Sequence, residues 1–113
     1  MLPPEKSLRE IQEEAKEWSY RNFGNQPSWT QVFGVMEELG ELCHAYLKRH
    51  QKIRTTEDHD EKIIDAAGDL VIFLINFCNT ENLDLQQILN EVWDKVKQRD
   101  WKKDSEFGTE SGT

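Results

Sequence analysis

The chain has 113 residues, enough for one hydrophobic core and not for two. With 36% hydrophobic and 32% charged residues, four Trp and five Phe, it is not the composition of a disordered chain. A formal net charge of -8 argues against a surface for nucleic-acid polymers, which are held by clustered Lys and Arg, although a metal ion can still bring a nucleotide to an acidic protein. Cys43 and Cys78 fall in apolar stretches and read as small core residues rather than a disulfide. With no signal-peptide pattern and no apolar run of about 18 residues, the expectation is a cytoplasmic protein with no membrane partner.

Four helical segments follow in chain order. The first opens at Ser7, with Glu10 three residues on as a capping box, and carries Leu8, Ile11, Ala15 and Trp18 at helical spacing. A Gly- and Pro-marked loop ends it before Pro27. The second starts near Ser28, with Gln31 as polar partner, and runs to about Arg49 with a stripe of Val32, Met36, Leu39, Cys43, Tyr46 and Leu47. After a basic link the third begins near Asp58 with Glu61 and continues to about Thr80. The fourth begins at Asp84 with Gln87 and reaches about Trp101. Residues 102–113, rich in Gly, Ser and charge, read as a flexible tail, which leaves 1–101 as a single domain. Four helices with short links predict an all-α, antiparallel four-helix bundle, completed by oligomerisation.

Most of the acidic residues suit a solvated surface, as in the run Glu13, Glu14 and Glu17. The stretch Met36-Glu37-Glu38-Leu39-Gly40-Glu41-Leu42 is different. At about 100° per residue, Glu38 and Glu41 stand about 60° apart and Glu37 and Glu41 about 40° apart. Gly40, in the middle of a helix, predicts close approach of a neighbouring helix or a ligand. In the third helix Asp69 sits among apolar residues, with Asp65 four positions before it on the same face. A carboxylate so placed is expected to be buried, and a buried carboxylate needs a partner. Antiparallel packing of these two helices would bring four or five carboxylates together, a set of hard oxygen ligands that favours Mg²⁺ or Mn²⁺. The plain alternative pairs Asp69 with a distant base such as Arg99 and leaves Glu37 and Glu38 in water.

These residues resemble the MazG-like family of all-α nucleoside triphosphate pyrophosphohydrolases. That family carries Glu-Glu-x-x-Glu on one helix and Glu-x-x-Asp on the next. The first motif stands intact as Glu37-Glu38-Leu39-Gly40-Glu41. In the second Asp69 matches, Ala66 occupies the Glu position, and Asp65 is the nearest acid. The resemblance covers roughly Leu8 to Trp101. It implies Mg²⁺-dependent cleavage of (deoxy)nucleoside triphosphates between the α- and β-phosphates, a role in clearing surplus or non-standard nucleotides, and a homodimer or homotetramer. It also implies Glu38, Glu41 and Asp69 as metal ligands, Asp65 as a fourth, and Glu37 as holder of a second metal or activator of water.

The triphosphate calls for cations. Lys48, Arg49, Lys52 and Arg54 cluster after the acidic helix, and Lys95, Arg99, Lys102 and Lys103 form a second group. Trp101 beside Arg99, or Trp29, is a candidate for stacking on the base, each being equally a core or interface residue. Two rival readings remain. Glu41-Leu42-Cys43-His44 fits once the Glu-x-x-His of di-iron bundles, which need it twice. A helical interaction module without catalysis would leave Asp65 and Asp69 unexplained.

Overall fold

Three of the four helices in the computed structural model, which describes residues 2–99, begin where a polar side chain meets the free amides of the first turn. Ser7 Oγ accepts from the Glu10 N–H at 3.1 Å and the Glu10 carboxylate accepts from the Ser7 N–H at 3.1 Å, so the expected capping box opens α1 (Leu8–Phe23). Asp58 and Asp84 accept from the backbone of Glu61 and Gln87, which starts α3 (His59–Thr80) and α4 (Leu85–Val96). α2 (Ser28–Gln51) starts at the expected residue but is capped differently. Pro27 is its cap residue, without a side-chain bond, Ser28 turns its hydroxyl to Glu81, and Gln31 is buried. α4 stops at Val96, short of the expected Trp101. The anticipated tail, with Trp101, lies outside the described residues.

Contacts at the helix ends set the directions. Arg49 near the end of α2 pairs with Asp60 in the first turn of α3 at 2.7 Å, while Ser28 at the start of α2 reaches Glu81 just beyond α3. α2 and α3 are therefore antiparallel, and they form the principal packed pair. α1 lies along α3, joined by Gln12 Nε2 to Asn79 Oδ1 at 3.0 Å. α4 attaches through its first turn, where Asp84 pairs with Arg9 at 2.8 Å and the Leu85 N–H donates to Gln12 at 3.1 Å. The fold is all-α, with four helices and no strand among the described residues, as a helical bundle requires.

The buried faces differ from the stripes read in the sequence. On α2 the inward residues are Gln31, Gly34, Glu38 and Ala45, and on α3 they include Ala66, Ile75, Asn76 and Cys78. Phe33, Met36 and Ile64 are 63%, 67% and 70% exposed, and the expected α2 stripe of Val32, Met36, Leu39, Cys43, Tyr46 and Leu47 faces outward in the single chain, so of the two cysteines expected in the core only Cys78 is buried. Small side chains let α2 and α3 approach. A Cβ at Gly34 would overlap the Phe73 ring, so the close helix contact falls at Gly34. Gly40 has nothing within 4 Å on its open side and borders a cleft instead. α3 is long and apolar enough to cross a membrane by length and composition, contrary to the expected lack of such a run. Here it is the helix on which α1 and α2 pack.

Gly34→Ala is expected to lower unfolding free energy by about 1–3 kcal/mol, the usual cost of overpacking. Gly40→Ala is expected to leave it equal or raise it by up to about 1 kcal/mol through helix propensity. Denaturant melts of the two variants check this, and equal destabilisation by both would contradict the packing described.

Candidate functional site

Glu37, Glu38 and Glu41 lie on adjacent turns of α2, and one carboxylate oxygen from each falls within 4.8 Å of the others. The antiparallel α3 sets Asp65 and Asp69 opposite them. A cleft of about 540 Å³ results, bordered by Glu37, Glu41, His44, Lys62, Asp65 and Asp69. Four of the five expected carboxylates thus share one cavity, with Glu38 closed in beside them. None of the five enters an ion pair among the described residues, so the pairing of Asp69 with Arg99 is not realised.

Burial is distributed differently from expectation. Asp65 and Asp69 are exposed, because α3 is covered on only part of its circumference and its apolar neighbours Ile64, Val71 and Ile72 are exposed too. The buried acid is Glu38, 8% exposed, whose Oε2 finds no hydrogen-bond partner among the described residues. Burial pushes the Glu38 carboxyl above the usual glutamate range. Repulsion from Glu41, a hydrogen bond shared with Glu41, and repulsion from Asp69 and Glu37 add to the rise. A cation among these oxygens would oppose the rise, since it favours the ionised carboxylates and screens their repulsion.

Positive charge reaches the cleft from two places. Lys62 borders it while its Nζ pairs with Glu57 at 2.9 Å. Arg54 Nη1 lies 3.3 Å from His44 Nε2, and since guanidinium only donates, the His44 Nε2 is the accepting nitrogen. Arg54 and Lys52 both hold positive φ, 53° and 56°, in the link after α2. Each such conformation costs a non-glycine residue about 1 kcal/mol or more. Buried His59 secures that link by donating from Nε2 to the Ile53 carbonyl at 3.0 Å. Of the expected substrate contacts, Lys48, Lys52 and Arg54 do not border the cleft, although Arg54 contacts His44, which does. Arg99 follows α4 and does not border it either, and Trp101 is outside the described residues. Trp29 packs edge-on against Phe33 on the outer face of α2. His44 stands at the rim, not in the three-carboxylate cluster, and no second histidine joins it there.

Sequence reasoning missed Lys62, which its i+3 spacing to Asp65 on α3 could have revealed. It also missed a second groove of about 390 Å³ between α1 and α3. Trp18, Phe23, Phe73, Gln31 and Asn76 border it, and Asp69 belongs to both cavities. No local signal marks that groove, since its walls come from three separate helices.

An all-α fold holding an unpaired acidic cluster next to an aromatic and amide-lined groove defines a helical protein fitted to bind cations and charged, partly aromatic ligands. Residues 5–96 match the family described as Phosphoribosyl-ATP pyrophosphohydrolase, and the chain belongs to that family, part of the MazG-like all-α pyrophosphohydrolase superfamily. No curated protein and no solved structure matches the chain. The chain is accordingly a pyrophosphohydrolase-type enzyme.

The raised Glu38 value sets a pH signature in chelator. A folded-state value above the unfolded one gives stability that is full below the ordinary glutamate value of 4.5 and is lost as pH rises through the raised value. Relative to wild type, Glu38→Gln should therefore melt a few degrees higher at pH 8 and no higher at pH 4. Thermal melts at both values check it, and a variant less stable than wild type at pH 8 would refute the repulsion.

Proposed function

We propose that this chain hydrolyses nucleoside triphosphates, ribo- or deoxy-, between the α- and β-phosphates, giving the monophosphate and pyrophosphate with Mg²⁺ as cofactor. The observation that carries the proposal is the buried, unpartnered oxygen of Glu38 among Glu37 and Glu41, with Asp65 and Asp69 across the same cleft. That donor set, all carboxylate oxygen, fits a hard divalent ion. Glu38, Glu41 and Asp69, with Asp65, would hold Mg²⁺ (or Mn²⁺), which supplies positive charge to the phosphate oxygens.

The remaining chemistry belongs to the side chains. Glu37 is exposed at the mouth of the cleft, where its carboxylate can accept a proton from the attacking water. Arg54, steadied by His44, and Lys62 face the leaving pyrophosphate. Lys48 and Lys52 add to the positive potential at that end. The groove shared with Asp69 takes the nucleoside. A second substrate, phosphoribosyl-ATP, is favoured by the family's description.

The functional form in this proposal is a homodimer or homotetramer in the cytoplasm, serving to clear surplus or non-standard nucleotides. Outward Phe33, Met36, Ile64 and Trp93, 59–70% exposed, support the assembly, since a monomer rarely leaves so many large apolar side chains in water. Free Cys43 and Cys78 suit a reducing compartment.

Product chromatography with a panel of nucleoside triphosphates and phosphoribosyl-ATP tests the reaction. Monophosphate and pyrophosphate are expected, abolished by chelator. Asp69→Ala should reduce kcat/KM about 100-fold or more, as for loss of one electrostatic contact to the reacting group. Arg54→Ala should raise KM about tenfold or more, the value of a charge-assisted hydrogen bond. Diphosphate and phosphate as products would refute the position of the cut. Sedimentation of wild type as a monomer, or no effect of Phe33→Glu on the assembly, would refute the oligomer.

A further inference from the structure

A chain of amides links α1 to α3 and ends in the groove beside the acid cleft. It starts at backbone groups in and after the turn between α3 and α4. Gln12, buried on α1, donates from Nε2 to the Leu83 carbonyl at 2.7 Å, and its Oε1 accepts from the Leu85 N–H at 3.1 Å. A carbonyl only accepts and a backbone N–H only donates, so the backbone assigns both ends of the Gln12 amide. The second Nε2 hydrogen goes to Asn79 Oδ1 at 3.0 Å. Asn79 Nδ2 then donates to the Gln12 carbonyl at 3.1 Å and to Asn76 Oδ1 at 3.3 Å. By elimination Asn76 is left with its donor end free.

Asn76 is 6% exposed, and its Nδ2 meets no acceptor among the described residues yet is not closed off from solvent, so the donor opens onto the cavities that Asn76 borders. An amide donor on a largely buried side chain that opens onto a cavity takes its partner from whatever occupies that cavity, water or ligand. Asn76 borders both the groove that contains Asp69 and an adjoining pocket of about 320 Å³ that includes Lys16 and Tyr20. It lies seven residues beyond Asp69, about 10 Å along the axis of α3 and nearly on the same face. That is the order of length of a nucleoside measured from its 5′ oxygen to the polar edge of its base. The rings of Trp18 and Phe73 line the interval.

Resting on the pyrophosphohydrolase reading above, we infer that the α1–α3 groove receives the base of the nucleotide and that Asn76 Nδ2 donates to a carbonyl oxygen or ring nitrogen on its edge. Asn76 is then a specificity-determining contact. Gln12 and Asn79 are positioning residues that keep the donor end turned into the groove. A base presenting an amino group at that point is rejected, because two donors would face each other without water.

The test measures kcat and KM of wild type, Asn76→Asp, Asn76→Ala and Asn79→Asp against ATP, GTP, CTP, UTP and phosphoribosyl-ATP with Mg²⁺. Asn76→Asp keeps the oxygen that accepts from Asn79 and replaces the donor by an acceptor. For the substrate wild type prefers, its KM should rise about 100-fold with kcat within about twofold. Asn76→Ala should raise KM about three- to tenfold, the value of one neutral hydrogen bond. Asn79→Asp, which frees the Asn76 amide to turn, should flatten the preference among bases about three- to tenfold, and it carries the test if Asn76→Asp does not fold. KM and base ranking unchanged in Asn76→Asp, or a fall in kcat alone across all substrates, would overturn the inference. If wild type hydrolyses no nucleotide, the proposed function fails by itself. Calorimetric binding of nucleoside monophosphates in chelator, lost in Asn76→Asp, would then still uphold the groove, and absence of such binding would overturn it.

Discussion

Glu38 is closed into the α2–α3 contact with one oxygen unpartnered, and Glu37, Glu41 and Asp69 press on it with like charge. Two helices would not normally pack across such a seam. They do so here because the facing positions are otherwise small, with Gly34 and Ala45 on α2 and Ala66 on α3, so backbone approach and the Phe73 ring contact hold the pair together. The remaining repulsion is a standing demand for positive charge. A cation bound among these oxygens would therefore couple ligand binding to stability at this one place.

That demand explains the link after α2. Two non-glycine residues adopt positive φ there, His59 is spent on pinning Ile53, and the outcome is Arg54 held against His44 at the rim of the acid cleft. Local strain is tolerated because the α2–α3 pair on either side of the link is long and firmly packed. On the other side of Asp69 the logic is different. The α1–α3 groove is lined by rings and by amides whose polarity is set through Gln12 and Asn79 from backbone groups near the start of α4. One acidic side chain thus stands between a charged cavity and a mostly neutral one.

The outward apolar faces belong to the same economy. α2 uses its small and polar side for α3, which leaves Met36, Phe33 and Tyr46 facing away, and α4 presents Leu89, Val92 and Trp93 beyond its contact with α1.

Helical periodicity and capping residues determined the all-α class and the four helix starts, because both are local: they depend on residues three or four apart. At α2 the start at Ser28 was legible but its cap was not, since Pro27 caps it without a side-chain bond and Gln31 is claimed by burial. The acidic cluster was legible in Glu37-Glu38-Leu39-Gly40-Glu41, Asp65 and Asp69, as spacing places them on one face of each helix. Which carboxylate is buried was not legible. Apolar neighbours in the sequence suggested Asp69, yet burial depends on which side of α3 receives α2 and α1, a choice made by side-chain volume at Gly34 and Phe73. The contact of Arg54 with His44 at the cleft's rim, the exclusion of Arg99 from the cleft, and the free donor of Asn76 were likewise decided by tertiary structure. Each depends on contacts between helices far apart in the chain, where no pattern of neighbouring residues carries the information.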